Sequence, residues 1–108
     1  MKITIITVVY NNPNIKNAID SVLSQDYDDI EYILIDGKST DQTQEVIRQY
    51  SQQVDLIISE PDSGIYDAIN KGIRNSHGEY IGLLHSDDLF YDRSTVKKVV
   101  ERLNSRET

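Results

Sequence analysis

The chain has 108 residues, 38% hydrophobic and 27% charged, which suits one globular domain and leaves little room for a second. Eleven Lys and Arg against 18 Asp and Glu give a net charge of −7, which argues against general nucleic-acid binding because that needs a basic footprint. The absence of cysteine excludes disulfides, thiolate metal sites and a cysteine nucleophile. Apolar runs are far shorter than the ~20 residues that span a bilayer. The N-terminus has no small-residue cleavage site and reads as a strand, so no transmembrane segment and a cytoplasmic location are expected, with peripheral attachment at the inner membrane face as the variant.

Residues 2–9 are β-branched and apolar nearly throughout, the pattern of a strand buried on both faces. Asn11-Asn12-Pro13-Asn14 breaks that strand and starts a helix over 14–25, with Ile15, Ala18, Ile19, Val22 and Leu23 at helical spacing. A second strand is expected over Ile30–Ile35, ending at Asp36-Gly37. Ser39-Thr40-Asp41 can cap a second helix through Val46, Ile47 and Tyr50. Val54–Ile58 reads as a third strand. A third helix follows over Ile65–Asn75, with Ile65, Ala68, Ile69, Gly72 and Ile73 facing inward. Tyr80–Leu84 reads as a fourth strand, and a last amphipathic helix over Arg93–Leu103 carries Val96, Val99, Val100 and Leu103. The order βαβαβαβα predicts an α/β fold: a doubly wound, mainly parallel sheet with helices on both faces and strand order 3-2-1-4.

In such a sheet, ligands bind beyond the carboxyl ends of the strands, where the winding reverses; here that point lies between strands one and four. Every loop at that end except the first carries a carboxylate: Asp36, then Glu60 and Asp62, then Asp87 and Asp88. The Asp87-Asp88 pair suits a hard cation on one carboxylate and a hydroxyl on the other, although Asp also favours helix caps and turns. Tyr10 offers a ring face to a base or packs on the surface. Asp36 accepts from a base or ribose, or starts a turn with Gly37. His85 is a metal ligand or closes its strand. No phosphate-binding glycine loop and no nucleophile elbow are present.

Four strings in order carry a resemblance. They are Thr7-Val8-Val9-Tyr10-Asn11, Ile35-Asp36-Gly37-Lys38-Ser39-Thr40-Asp41-Gln42-Thr43, Gly64-Ile65-Tyr66-Asp67-Ala68-Ile69-Asn70-Lys71-Gly72 and Ser86-Asp87-Asp88. Together they resemble family 2 glycosyltransferases of the GT-A fold, closest in look to bacterial enzymes of surface-polysaccharide synthesis. The resemblance implies transfer of a sugar from a nucleotide diphosphate donor, a UDP-sugar by preference, to a glycan or lipid-linked acceptor. It also implies inversion and assistance by Mn²⁺ or Mg²⁺. By the same resemblance Thr7 and Val9 meet the nucleotide through backbone groups, Tyr10 packs on the base and Asp36 accepts from uracil N3. Asp41 orders its loop and caps the helix. Asp67, Asn70 and Lys71 line the donor side, Asp87 contacts ribose or sugar, and Asp88 holds the metal.

Two departures stand out: His85 replaces a common acidic residue, and Ile69 stands where many relatives carry Arg, leaving Lys71 as the phosphate contact. The chain looks like the nucleotide-sugar-binding half of a GT-A domain, with the acceptor half absent. The catalytic base, an Asp or Glu, matches no motif here and is expected in that other half, so turnover by these 108 residues alone is not expected. The alternatives are a non-catalytic nucleotide-sugar-binding module and, far behind, a receiver-like signalling domain, which wants an acidic pair where Asn11-Asn12 stands. An unprotected edge on strand four and an uncovered apolar face on the last helix point to a homo-oligomer.

Overall fold

The structure, a computed structural model, describes residues 1–106. Strands β1 (Ile3–Val9), β2 (Ile30–Asp36), β3 (Leu56–Ser59) and β4 (Tyr80–Leu83) alternate with helices α1 (Lys16–Leu23), α2 (Thr43–Arg48), α3 (Ile65–Arg74) and α4 (Thr95–Arg106). The four strands form one all-parallel sheet in the order β3-β2-β1-β4, as the alternation of elements predicts.

The period of two along each strand sorts side chains between two cores. Ile3, Ile5 and Val9 of β1 share one face with Tyr32 and Leu34 of β2. That face is covered by Ala18, Ile19 and Val22 of α1, Ile47 of α2, and Val96 and Val100 of α4. Ile6, Ile33 and Ile35 point to the other face, which packs against Ala68 of α3. Thr7 lies on the first face, where its hydroxyl meets the Tyr32 hydroxyl at 2.9 Å. Burial pushes the Tyr32 phenol up to about 12, so it remains a neutral hydrogen-bonding group.

Two expectations are corrected. Of the five α3 residues expected to face inward, Ala68 and Gly72 are buried, whereas Ile65 and Ile73 are 48% and 43% exposed. A Cβ on Gly72 would stand 2.8 Å from Ile6 Cγ2, so α3 sits close on β1 through a narrow stripe and its flanks reach past the sheet. In α4, Val96 and Val100 are covered and Val99 is exposed, because the helix folds back over the first face. Gln25 anchors that return: its amide donates to the Asp92 carbonyl at 2.9 Å and its Oε1 accepts from Val96 N at 3.0 Å. The outer strand β4 keeps Tyr80, Ile81 and Leu83 at least partly exposed.

Candidate functional site

Two adjacent asparagines organise the carboxyl end of the sheet. Asn11 takes a left-handed backbone (φ 48°), a conformation Asn tolerates better than most residues. Its N–H donates to Ser39 Oγ at 2.9 Å, and its Oδ1 accepts from Thr40 N at 2.8 Å. The β1 loop is thereby tied to the β2 loop. Asn12 reaches the opposite way, with Nδ2 donating to Asp87 Oδ1 at 2.8 Å and to Ser86 Oγ at 3.2 Å. Its Oδ1 accepts from Asn14 N at 3.2 Å and caps the short 3₁₀ turn over Pro13–Ile15.

Between β1 and β4, on the α3 side, lies an open cavity of about 600 Å³. Val8, Val9 and Tyr10 form its β1 wall, and His85, Ser86, Asp87 and Asp88 its β4 wall. Asp62, Gly64, Ile65 and Ala68 close the third side. It stands at the point where the winding reverses, as the strand order requires. Its lining carries three carboxylates and neither Lys nor Arg.

The loop 60–67 is braced from behind. Lys71 Nζ donates to the Pro61 carbonyl at 2.9 Å and pairs with Glu60 at 3.1 Å and Asp67 at 3.6 Å. Burial opposes the Lys71 charge, yet Glu60 and Asp67 outweigh it and hold the ammonium above the ordinary lysine value. A hydrogen bond from Ser63 N, with Lys71 beside it, holds the Asp67 carboxyl below its usual range. Asp62 Oδ1 accepts from Gly64 N at 3.1 Å, where Gly64 takes a φ of 120° that L side chains rarely adopt.

The residues singled out from the sequence therefore divide. Val9, Tyr10, Asp87 and Asp88 converge on the cavity. Tyr10 is 60% exposed, and the Asp88 carboxylate has no hydrogen-bond partner among the described residues. Thr7 is buried in the ladder, and Asp67, Asn70 and Lys71 do not line the cavity. Lys71 is engaged by Glu60 and Pro61 of the preceding loop and by Asp67 of its own helix, which argues against the free phosphate contact expected of it.

Asp36 does not line the cavity. It shares the parity of Tyr32 and Leu34, so its side chain lies on the face away from α3 and is fully buried. Ser39 Oγ donates to it at 2.5 Å, Ser39 N at 3.2 Å and Ser59 Oγ at 2.8 Å, so its acceptor capacity is already engaged. Asp41 orders its loop by accepting from Thr43 N at 2.9 Å, but the N-cap of α2 is Gln42, which makes no side-chain cap bond. Sequence reasoning left Asn12 and Asp62 unassigned. The signal for Asn12 was a cap-forming residue before Pro13; Asp62 was one of the several acidic positions at the carboxyl end of the sheet with nothing to single it out.

Among the described residues no cluster of three or more metal-ligating side chains exists. One or two loop carboxylates, with oxygens from a bound diphosphate and water completing the shell, is nevertheless the way Mg²⁺ is usually held. The unengaged Asp88 carboxylate, beside an Asp87 fixed by Asn12, fits such a hard cation.

No helix among the described residues is long and apolar enough to cross a membrane. The sequence matches the family described as Glycosyl transferase family 2 over residues 4–108. It is 34% identical over 106 residues to glycosyltransferase GlyA of Streptococcus pneumoniae serotype 4, covering 93% of this chain and 15% of that protein. The fold superposes on S. aureus TarS (residues 1–349) with a TM-score of 0.86 at 25% identity, over 97% of this chain and 33% of that one. It superposes on the mannosyltransferase PcManGT of Pyrobaculum calidifontis, solved with GDP-Man and Mn²⁺, with a TM-score of 0.84 at 28% identity, over 93% and 31% of the two chains. The chain thus spans a third or less of these relatives, with the same four-stranded arrangement at its heart. On the match across nearly its whole length, the chain belongs to glycosyl transferase family 2 and has the GT-A fold.

Proposed function

We propose that the cavity between β1 and β4 is the donor site of a glycosyltransferase that takes its sugar from a nucleotide diphosphate, with a UDP-sugar as the donor. The observation that carries this reading is the pairing of an exposed Tyr10 ring with the unengaged Asp88 carboxylate across one cavity at the winding reversal. The ring supplies a stacking surface for a base, and stacking on aromatic side chains is worth about 1–3 kcal/mol per base. Asp87, held by Asn12, is placed to accept from a ribose or sugar hydroxyl.

A diphosphate brought to a cavity with three carboxylates and no Lys or Arg meets repulsion, so a divalent cation, Mn²⁺ or Mg²⁺, is needed between them. When bound it would neutralise the charge that develops on the leaving diphosphate. Asp88 would hold the ion, with Asp87 or His85 beside it. PcManGT carries Mn²⁺ with its nucleotide sugar, and TarS has been solved with UDP-GlcNAc, which supports this assignment of ligand class.

The reaction is inverting transfer. An acceptor hydroxyl, on a glycan or lipid-linked glycan, attacks the anomeric carbon as the bond to the diphosphate breaks, and a carboxylate base takes the hydroxyl proton.

Calorimetry with UDP tests the reading. Binding is expected with Mn²⁺ or Mg²⁺, and Asp88→Ala is expected to abolish the gain that the metal brings. Equal UDP affinity with and without metal would sink it.

A further inference from the structure

Gly37 has no side chain, and a Cβ there would stand 2.9 Å from Asp62 Oδ2 and 3.4 Å from Tyr10 Cδ1. The space that a β2-loop side chain would fill is held instead by a carboxylate from the β3 loop. Gly64 N–H anchors that carboxylate through Oδ1, and the hydrogen bonds of the described residues leave Oδ2 without a partner. Tyr10 and Asp62 line the same cavity. An aromatic ring beside an unengaged carboxylate oxygen suits a flat heterocycle that stacks on the ring and presents a ring N–H at its edge. Asp36, buried and engaged by two serines, does not supply that acceptor.

We propose that Asp62, seated in the space left by Gly37, selects uracil over cytosine in the base of the donor by accepting the uracil N3–H. This rests on the donor-site reading above and names the residue that separates these two bases. Uracil offers a donor at N3, whereas cytosine carries a lone pair at the same ring position, which a carboxylate repels. Gly37 is the permissive partner: any side chain there competes with Asp62 for the same space.

The test is calorimetry of the 108-residue chain with UDP and with CDP at saturating Mn²⁺, for the wild type, Asp62→Asn and Gly37→Ala. Asn keeps the size of the side chain, and its carbonyl still accepts from Gly64 N–H. Its NH₂ can donate to cytosine N3, where the carboxylate could not. The wild type is expected to bind UDP about tenfold or more tightly than CDP. Asp62→Asn narrows that ratio to about threefold or less, with an unchanged melting temperature. Gly37→Ala narrows it too, by moving the carboxylate without removing it. A wild-type UDP/CDP ratio in Asp62→Asn overturns the role of Asp62 and leaves the donor site standing. A wild-type chain that binds neither nucleotide in the presence of Mn²⁺ overturns the donor site, and this assignment with it.

Discussion

Asn12 Nδ2 lies 2.8 Å from Asp87 Oδ1, although the two are 75 positions apart in the chain. The same side chain caps the 3₁₀ turn after β1, so the orientation of Asp87 is set by the backbone that also carries Tyr10. Asn12→Ala is expected to weaken UDP–Mn²⁺ binding by about 1 kcal/mol, the usual net worth of one such hydrogen bond. Asn12→Asp is expected to weaken it further by setting a fourth carboxylate at the cavity. Calorimetric affinities that rank Asp below Ala below Asn check this order; equal affinities for all three would show that Asn12 does not position the site.

Tyr10→Ala is expected to weaken UDP by about 1–3 kcal/mol. The ring is mostly exposed, so the melting temperature should stay within about 2 °C of wild type. Tyr10→Phe should restore most of the affinity, because the stacking surface is kept. Binding unchanged in Tyr10→Ala would move the base elsewhere.

The contact of α3 with β1 predicts that Gly72→Ala destabilises the fold. The new methyl would meet Ile6 Cγ2 at 2.8 Å and Cδ1 at 2.9 Å. Overpacking of this kind costs about 1–3 kcal/mol, against a helix-propensity gain of no more than about 1 kcal/mol. Trimming the obstacle with Ile6→Val should make Gly72→Ala less harmful in the double variant than alone. Urea unfolding of the four-member cycle measures the coupling, and strict additivity would contradict the contact.

At the amino end of the sheet, Glu31 accepts from Thr4 Oγ1 at 2.8 Å and His77 N at 2.7 Å, and faces His77 Nδ1 at 2.7 Å. Burial favours its neutral form, but the hydrogen bonds from His77 and Thr4 outweigh burial and hold the carboxyl below its usual range. A carboxylate with a lowered folded pKa adds stability above its unfolded value, near 4.5, and loses it as pH falls through the folded value. Melting temperatures of wild type and Glu31→Gln should therefore differ by a constant amount well above pH 4.5 and converge as the pH falls below the folded value. A difference that does not shrink as the pH falls below 4.5 would show that the charge is not what Glu31 contributes.

Association through β4 is expected. This strand pairs only with β1 among the described residues, and Ile81 and Leu83 are 40% and 49% exposed. An exposed apolar edge without charge templates pairing with another strand. Light scattering of the 108-residue chain at micromolar concentration should find a species larger than 12.4 kDa, and Ile81→Lys with Leu83→Lys should return the monomer. A wild-type chain that runs as a monomer would refute it.

The sheet was legible because its strands are β-branched runs bounded by turn residues, and because right-handed crossovers leave few strand orders. The start of β3 was not: Val54 N bonds back to the Tyr50 carbonyl, so the residue closes the turn after α2 and the strand begins at Leu56. Tyr10, Asp87 and Asp88 were legible as cavity residues because each lies in a loop after a strand end on the winding reversal. Asp36 is the last residue of its strand, and the parity of β2 turns it to the other face, where Ser39 and Ser59 engage it. Asp62 depends on the absence of a side chain at Gly37, 25 residues earlier, which no local pattern displays.

The Lys71 brace bears on how fast the cavity fills. Its three partners all lie in the segment 60–67, so that segment is fixed before any ligand arrives. Ordering a residue's backbone costs about 1–2 kcal/mol, and a wall ordered during folding adds none of that cost on association. Nucleotide association should then proceed in one step, its observed rate rising linearly with ligand concentration. Lys71→Met, which cuts the brace, should introduce a plateau at high concentration as ordering of the loop becomes the slow event.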